Sequence, residues 1–128
     1  MTDRIALIVD DQPGIRALLR EFMTGLGVTC YEAGDGSRAL ELLNQICPDV
    51  VLLDVKMPGI SGTDTLREMR RRQMMMPVII LTAYQDTEVH SSGEEMGLVF
   101  RLNKPFDLED LATLLSSFLR DGDNPPLK

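Results

Sequence analysis

The sequence predicts an α/β fold: a doubly wound, five-stranded parallel sheet in the order 2-1-3-4-5, with helices on both faces. Three observations point there. Short continuous apolar runs rich in Val and Ile occur over residues 5–9, 50–53 and 78–81, and such runs suit strands buried on both faces. Between them lie segments with apolar residues every three or four positions, the spacing of one buried helix face. The two kinds alternate, and strict alternation implies parallel strands joined by right-handed crossovers, for which 2-1-3-4-5 is a natural order.

The first strand is expected over 5–9. A helix follows, with Ile15, Leu18, Leu19, Phe22 and Leu26 on one face, Pro13 in its first turn, and Gly25 and Gly27 at its end. A weaker strand covers 28–33. Ala39, Leu40, Leu42, Leu43 and Ile46 mark the second helix, 50–53 the central strand, and Leu66 with Met69 the third helix. Residues 78–81 form the next strand. The segment over 86–96 is a poor helix, because Ser91-Ser92-Gly93 stands in its middle and Gly alone costs about 1 kcal/mol against Ala there. A weak strand over 98–102 precedes a last helix marked by Leu108, Leu111, Leu114, Leu115 and Phe118, with Asp107 a good N-cap. The expected organisation is one domain over 1–120 and a tail or cut linker over 121–128, where Asn124-Pro125-Pro126 lies.

Composition narrows the function classes. A chain of 128 residues is one domain in size, and 44% hydrophobic with 26% charged residues excludes a disordered chain. A net charge of -7 argues against a direct grip on nucleic acid, which needs a basic face; proteins or cations are the expected partners. No apolar run approaches the roughly 20 residues that span a bilayer, and Met1-Thr2-Asp3-Arg4 leads into a stretch too short and too quickly acidic for a secretion signal. A cytoplasmic location and no membrane partner are expected. Cys30 and Cys47 make no CxxC pair and read as small core residues rather than ligands or a bridge. His90, the single histidine, reads as a surface residue, and Arg70-Arg71-Arg72 before Met74-Met75-Met76 as a solvated helix end.

The chemistry lies at the strand ends. Strand 1 ends in Asp10-Asp11, the central strand in Asp54, the fourth strand in Thr82, and the fifth runs out into Asn103-Lys104-Pro105. In a parallel sheet these ends share one edge, where open α/β folds bind ligands. Three carboxylates that close repel unless a cation joins them, and an all-oxygen set selects a hard ion, Mg²⁺ or Mn²⁺. No GxxxxGK[ST] loop is present to cradle a nucleoside triphosphate. What remains is a carboxylate nucleophile beside a metal, with a hydroxyl and an ammonium for phosphoryl oxygens: equipment for an aspartyl phosphate. Asp54 is the expected phosphoacceptor, Asp10 and Asp11 hold the metal, and Lys104 and Thr82 bind the phosphoryl group. Taken singly, each residue has a blander role: Asp11 or Gln12 as a helix cap, Asp54 in a turn, Thr82 in a strand, Lys104 as a solvated charge. Their joint placement, each at its own strand end, argues for the site.

Gly34-Asp35-Gly36-Ser37-Arg38-Ala39 is the strongest rival signal. It matches the G-x-G-x-x-A dinucleotide fingerprint, with Asp54 18 residues beyond Gly36. The fingerprint belongs to a central first strand, and here it follows an edge strand, so the glycines read as serving a turn.

Val9-Asp10-Asp11, Leu53-Asp54 with Met57-Pro58-Gly59, Leu81-Thr82-Ala83 and Lys104-Pro105-Phe106 resemble the response-regulator receiver domains of two-component signalling, over residue 5 to about 119. The resemblance implies a flavodoxin-like receiver that is a phosphoacceptor rather than an enzyme acting on a separate substrate. Such a domain takes a phosphoryl group from the phosphohistidine of a sensor histidine kinase onto Asp54, with Mg²⁺ (or Mn²⁺) required. The main-chain carbonyl of Lys56 would join Asp11 and Asp54 on the metal, with Asp10 acting mostly through water, and Lys104-Pro105 would be a cis bond. Asp11-Gln12-Pro13-Gly14-Ile15-Arg16, Leu52-Leu53-Asp54-Val55-Lys56, Thr82-Ala83-Tyr84 and Lys104-Pro105-Phe106-Asp107 are most similar to single-domain sporulation phosphorelay intermediates. That implies a histidine phosphotransferase as onward partner and a docking surface of Gln12, Gly14, Ile15 and Leu18 with the loop residues Tyr84, Pro105 and Phe106. Leu18 competes with a core role, which makes Ile15 the cleaner docking residue. Pro13 departs from the aromatic residue of that group. Arg101 stands where many receivers carry the aromatic that turns inward with Thr82, which weakens that switch and favours relay. A receiver cut from a longer regulator with an output domain is the alternative organisation.

Overall fold

The structure, a computed structural model, describes residues 4–83 and 99–118. The expected helix over 86–96, Tyr84, His90 and the tail over 121–128 lie outside the described residues. In chain order the elements are β1 (Arg4–Val9), α1 (Pro13–Gly25), β2 (Val28–Ala33), α2 (Gly36–Leu43), β3 (Val50–Asp54), α3 (Gly62–Arg71), β4 (Val78–Ala83), β5 (Val99–Lys104) and α4 (Leu108–Phe118). All strand pairs are parallel and the sheet order is β2-β1-β3-β4-β5, the expected topology. β3, β4 and β5 run further at their carboxyl ends than the apolar runs do. Pairing continues as Asp54 with Leu81, Thr82 with Asn103 and Ala83 with Lys104, because the ladder uses main-chain groups and is indifferent to side-chain polarity.

Alternation along the strands divides the core. Ala6, Ile8, Val28, Cys30, Val50, Leu52, Ile79, Leu81 and Leu102 face α1 and α4, meeting Leu19, Met23, Leu111 and Leu115. Leu7, Val9, Ala33, Val51, Leu53, Val78 and Ile80 face α2 and α3, meeting Ala39, Leu40, Leu43, Leu66 and Met69. The three central strands are buried on both faces, which is why they read as unbroken apolar runs.

Helix ends follow local chemistry. Asp35 caps α2 by accepting from Arg38 N, and Ser61 caps α3 by accepting from Asp64 N. α1 starts on Pro13 with Gln12 at the N-cap making no side-chain cap bond, and it ends ahead of Gly27, which takes φ 87°. Asp107 stands ahead of α4 and its carbonyl accepts from Asp110 N and Leu111 N.

Two expectations are corrected. Cys47 is exposed, not a core residue: in the connector after α2 the buried Pro48 turns inward and Cys47 faces solvent, while Cys30 is buried and both are free thiols. The arginine run is also more than a solvated end. Arg70 Nη1 donates to the carbonyls of Met74 (2.6 Å) and Met76 (3.0 Å), closing the turn in which Gln73 takes φ 64°. Met74 and Met76 pack on the α2/α3 core, whereas Met75 is exposed. No described helix is long and apolar enough to cross a membrane.

Candidate functional site

The pleat that sorts the core also assembles the site. Asp10 continues the Ala6–Ile8 parity, Asp54 continues Val50–Leu52, and Lys104 follows Leu102. All three extend the residues that face α1 and α4, beyond the last apolar layer. Lys104 sits on β5, two strands from β3, and its long side chain crosses β4 to place Nζ 3.0 Å from Asp54 Oδ1 and 3.9 Å from Asp10 Oδ2. The Lys104-Pro105 bond is cis, as the resemblance implies.

Asp10, Asp11 and Asp54 each offer an oxygen within 4.8 Å of the others. Asp10 is fully buried and Asp54 nearly so, while Asp11 is exposed. Asp10 Oδ1 accepts from Gln12 N at 2.9 Å. Asp10 Oδ2 is buried without a hydrogen-bond partner, and a buried carboxylate oxygen left so is costly unless a cation compensates it. Burial pushes the Asp54 carboxyl above its ordinary range; the Lys104 hydrogen bond and charge pull it back, and the Asp10 and Asp11 carboxylates push it up again. Three clustered carboxylates with one orphaned buried oxygen are a donor set that fits a hard divalent cation.

Thr82 is buried at the end of β4, opposite Asn103 and one residue beyond Leu81, the partner of Asp54. Lys56 follows β3 and is exposed. Gln12, Ile15, Leu18, Pro105 and Phe106 come together with Lys104, Leu19 and Leu108 around one cavity of about 440 Å³. Gly14 is exposed and has open space where a Cβ would stand, but it is not among the residues lining that cavity. Leu18 is 49% exposed, while Ile15 is half-buried against the α1/α4 core. This reverses the expected order: of the two candidate docking residues, Leu18, not Ile15, is the one free of a core role. Arg101 is half-buried and its Nε donates to Asn103 Oδ1 at 3.0 Å, along the strand.

The dinucleotide-like stretch resolves into packing. Asp35 serves as the α2 cap, and a Cβ on Gly36 would run into Thr65 Oγ1 and Ile60. Sequence reasoning missed Gly62. Its N–H donates to Val55 O at 2.7 Å, and a Cβ there would overlap the Asp54 carbonyl and Val55 Cα, so α3 sets directly on the main chain that presents Asp54. The only signal was a Ser-Gly pair ahead of a helix.

Comparison with known proteins agrees with this geometry. Residues 6–116 match the response regulator receiver domain family. The DNA-binding transcriptional regulator NtrC of Klebsiella pneumoniae is 39% identical over 111 residues, 87% of this chain and 24% of that protein; the chain therefore spans about a quarter of the length of such relatives. Sporulation initiation phosphotransferase F of Bacillus subtilis is 37% identical over 119 residues, 93% of this chain and 95% of that protein. The solved structure of response regulator protein TrrA from Thermotoga maritima, in complex with Mg²⁺-BeF, matches with a TM-score of 0.80 at 31% identity, covering 90% of this chain and 98% of that one.

Proposed function

Because this chain belongs to the response-regulator receiver family, we propose that Asp54 is its phosphoacceptor, taking a phosphoryl group from the phosphohistidine of a sensor histidine kinase. The observation that carries this reading is the Lys104–Asp54 contact inside a carboxylate cluster whose buried Asp10 Oδ2 has no hydrogen-bond partner.

In the step, Asp54 attacks phosphorus, an O–P bond forms, the P–N bond to the donor imidazole breaks, and the imidazole leaves with the electron pair. The Lys104 ammonium opposes the burial of Asp54 and so favours the ionised, nucleophilic carboxylate. As charge moves to the phosphoryl oxygens, Lys104 and the Thr82 hydroxyl bind them. Asp11, Asp54 and the Lys56 carbonyl would hold Mg²⁺ or Mn²⁺, with Asp10 acting mostly through water. When bound, the ion supplies positive charge to the phosphoryl oxygens. The solved TrrA structure pairs Mg²⁺ with beryllofluoride, which supports Mg²⁺ as the ion. The protein promotes only its own phosphorylation and dephosphorylation, and it works in the cytoplasm.

Near-complete coverage of the sporulation phosphotransferase, together with the cavity that unites Gln12, Ile15, Leu18, Pro105 and Phe106 beside Lys104, favours relay to a histidine phosphotransferase. The match to a quarter of NtrC supports a second organisation, the receiver part of a longer regulator; the length of the native gene product separates the two.

The test is incubation with acetyl phosphate and Mg²⁺ followed by intact mass measurement. One hydroxylamine-labile phosphoryl group is expected, absent in Asp54→Asn and absent when EDTA removes the metal. A phosphate mapped to Thr82, Ser61 or His90 overturns the assignment.

A further inference from the structure

Arg16 stands on α1, one turn past the acidic pair. Its Nη1 donates to the main-chain oxygen of Asp10 at 2.6 Å, and its Nε donates to Glu32 Oε1 at 3.1 Å. Arg20 Nη1 donates to the other oxygen of Glu32 at 2.7 Å, from the exposed side. The Arg16 side chain is only 19% exposed. A Cβ at Gly34 would stand in ordinary contact, 3.4 Å from Arg16 Nη1, with no other residue close.

Asp10 is tied on three sides. Its N–H donates to Ala33 O at 3.1 Å, its Oδ1 accepts from Gln12 N, and its carbonyl accepts from Arg16. The turn from β1 to α1 has no side-chain N-cap of its own, so Arg16 supplies a lock from inside the helix. We propose that Arg16 is a positioning residue, clamping the Asp10–Asp11 turn to Glu32 so that both carboxylates are presented to a divalent cation. The inference rests on the metal-dependent reading above. A planar fork can hold a carbonyl and a carboxylate at once, which a lysine ammonium does poorly. Groups that fix metal ligands typically govern affinity by about 10- to 100-fold.

The test compares wild type, Arg16→Ala and Arg20→Ala. Mg²⁺ alone is titrated and followed by NMR, and the acetyl phosphate labelling rate is measured across Mg²⁺ concentrations. Arg16→Ala should weaken Mg²⁺ half-saturation by about tenfold or more, while its rate at saturating Mg²⁺ stays within about threefold of wild type. Arg20→Ala removes a bond to the same Glu32 without touching Asp10, so its half-saturation should not move. Arg16→Lys, which keeps the charge and the aliphatic stem but loses the planar fork, should reproduce the Arg16→Ala defect and carries the test if Arg16→Ala does not fold. Wild-type half-saturation in folded Arg16→Ala, or equal weakening in Arg20→Ala, overturns the proposal. Wild-type protein that binds no Mg²⁺ overturns the functional reading, and this inference with it.

Discussion

Lys104 Nζ lies 3.0 Å from Asp54 Oδ1 although β4 separates their strands. That reach brings the Lys104 ammonium against the carboxylates of Asp54 and Asp10. Its charge is placed where phosphoryl oxygens would develop negative charge. Lys104→Met should therefore lower the acetyl phosphate labelling rate by about 100-fold or more, the usual effect of removing one preorganised electrostatic group. Mg²⁺ binding should persist, because the three carboxylates remain. Rapid-quench labelling with a parallel Mg²⁺ titration checks both halves; loss of Mg²⁺ binding would mean that Lys104 organises the cluster instead.

The fold was legible because its three central strands are buried on both faces, which leaves runs such as Val50 to Leu53 without a polar break. The shared edge of Asp10, Asp54, Thr82 and Lys104 followed from strand order alone. The crossing of β4 by Lys104 was legible in principle, since Leu102 and Lys104 share the pleat parity of Asp54 and its neighbour Leu52. Gly62 and Arg16 were not legible. Each acts on a main-chain carbonyl brought close by tertiary packing, Gly62 by leaving space and Arg16 by donating, and neither demand leaves a periodic trace. Leu18 was ambiguous because helical spacing places it beside Leu19, and only packing shows which of the two turns inward.

Two glycines should respond oppositely to alanine. At Gly62 the new methyl would meet the main chain of Asp54 and Val55, which cannot move without shifting Asp54 itself. Gly62→Ala should cost about 2 kcal/mol or more and slow labelling as well. At Gly25, the last residue of α1, nothing lies within 4 Å of the new methyl. Gly25→Ala should stabilise by about 0.5 kcal/mol, by limiting the unfolded chain. Urea unfolding midpoints of both variants decide the matter.

Glu68 gives a pH signature away from the site. Hydrogen bonds from Arg71 and then Arg72, with their charges, hold its carboxyl down from 4.5 to about 2. A depressed acid contributes stability above its unfolded value and loses it as pH falls, so the Glu68 share should fade between about pH 4.5 and 2. Side-chain carboxyl NMR of Glu68 should show a midpoint near the bottom of that window. Arg71→Ala should move it upward by more than Arg72→Ala, and added salt should move it upward in wild type. A midpoint at the ordinary value would mean that these arginines are solvated in solution.

The cavity beside Lys104 permits a test that separates docking from chemistry. On the proposed reading a protein donor brings its histidine to Asp54 past Gln12, Ile15, Leu18, Pro105 and Phe106, which surround the cavity beside Lys104, whereas acetyl phosphate needs no such surface. Leu18 is half exposed, so Leu18→Asp places a charge in the contact without opening the core; Ile15 packs against that core, and Ile15→Asp would mix docking with stability. Leu18→Asp should slow transfer from a cognate phosphohistidine donor by about tenfold or more, the loss of about 1.4 kcal/mol from one buried apolar anchor. Labelling by acetyl phosphate should stay within about twofold, because Leu18 lies in α1 and is not part of the Asp10, Asp11 and Asp54 cluster. Equal loss with both donors would place the damage in the site. No loss with either would remove this face of α1 from the docking surface, leaving Pro105 and Phe106 to carry it.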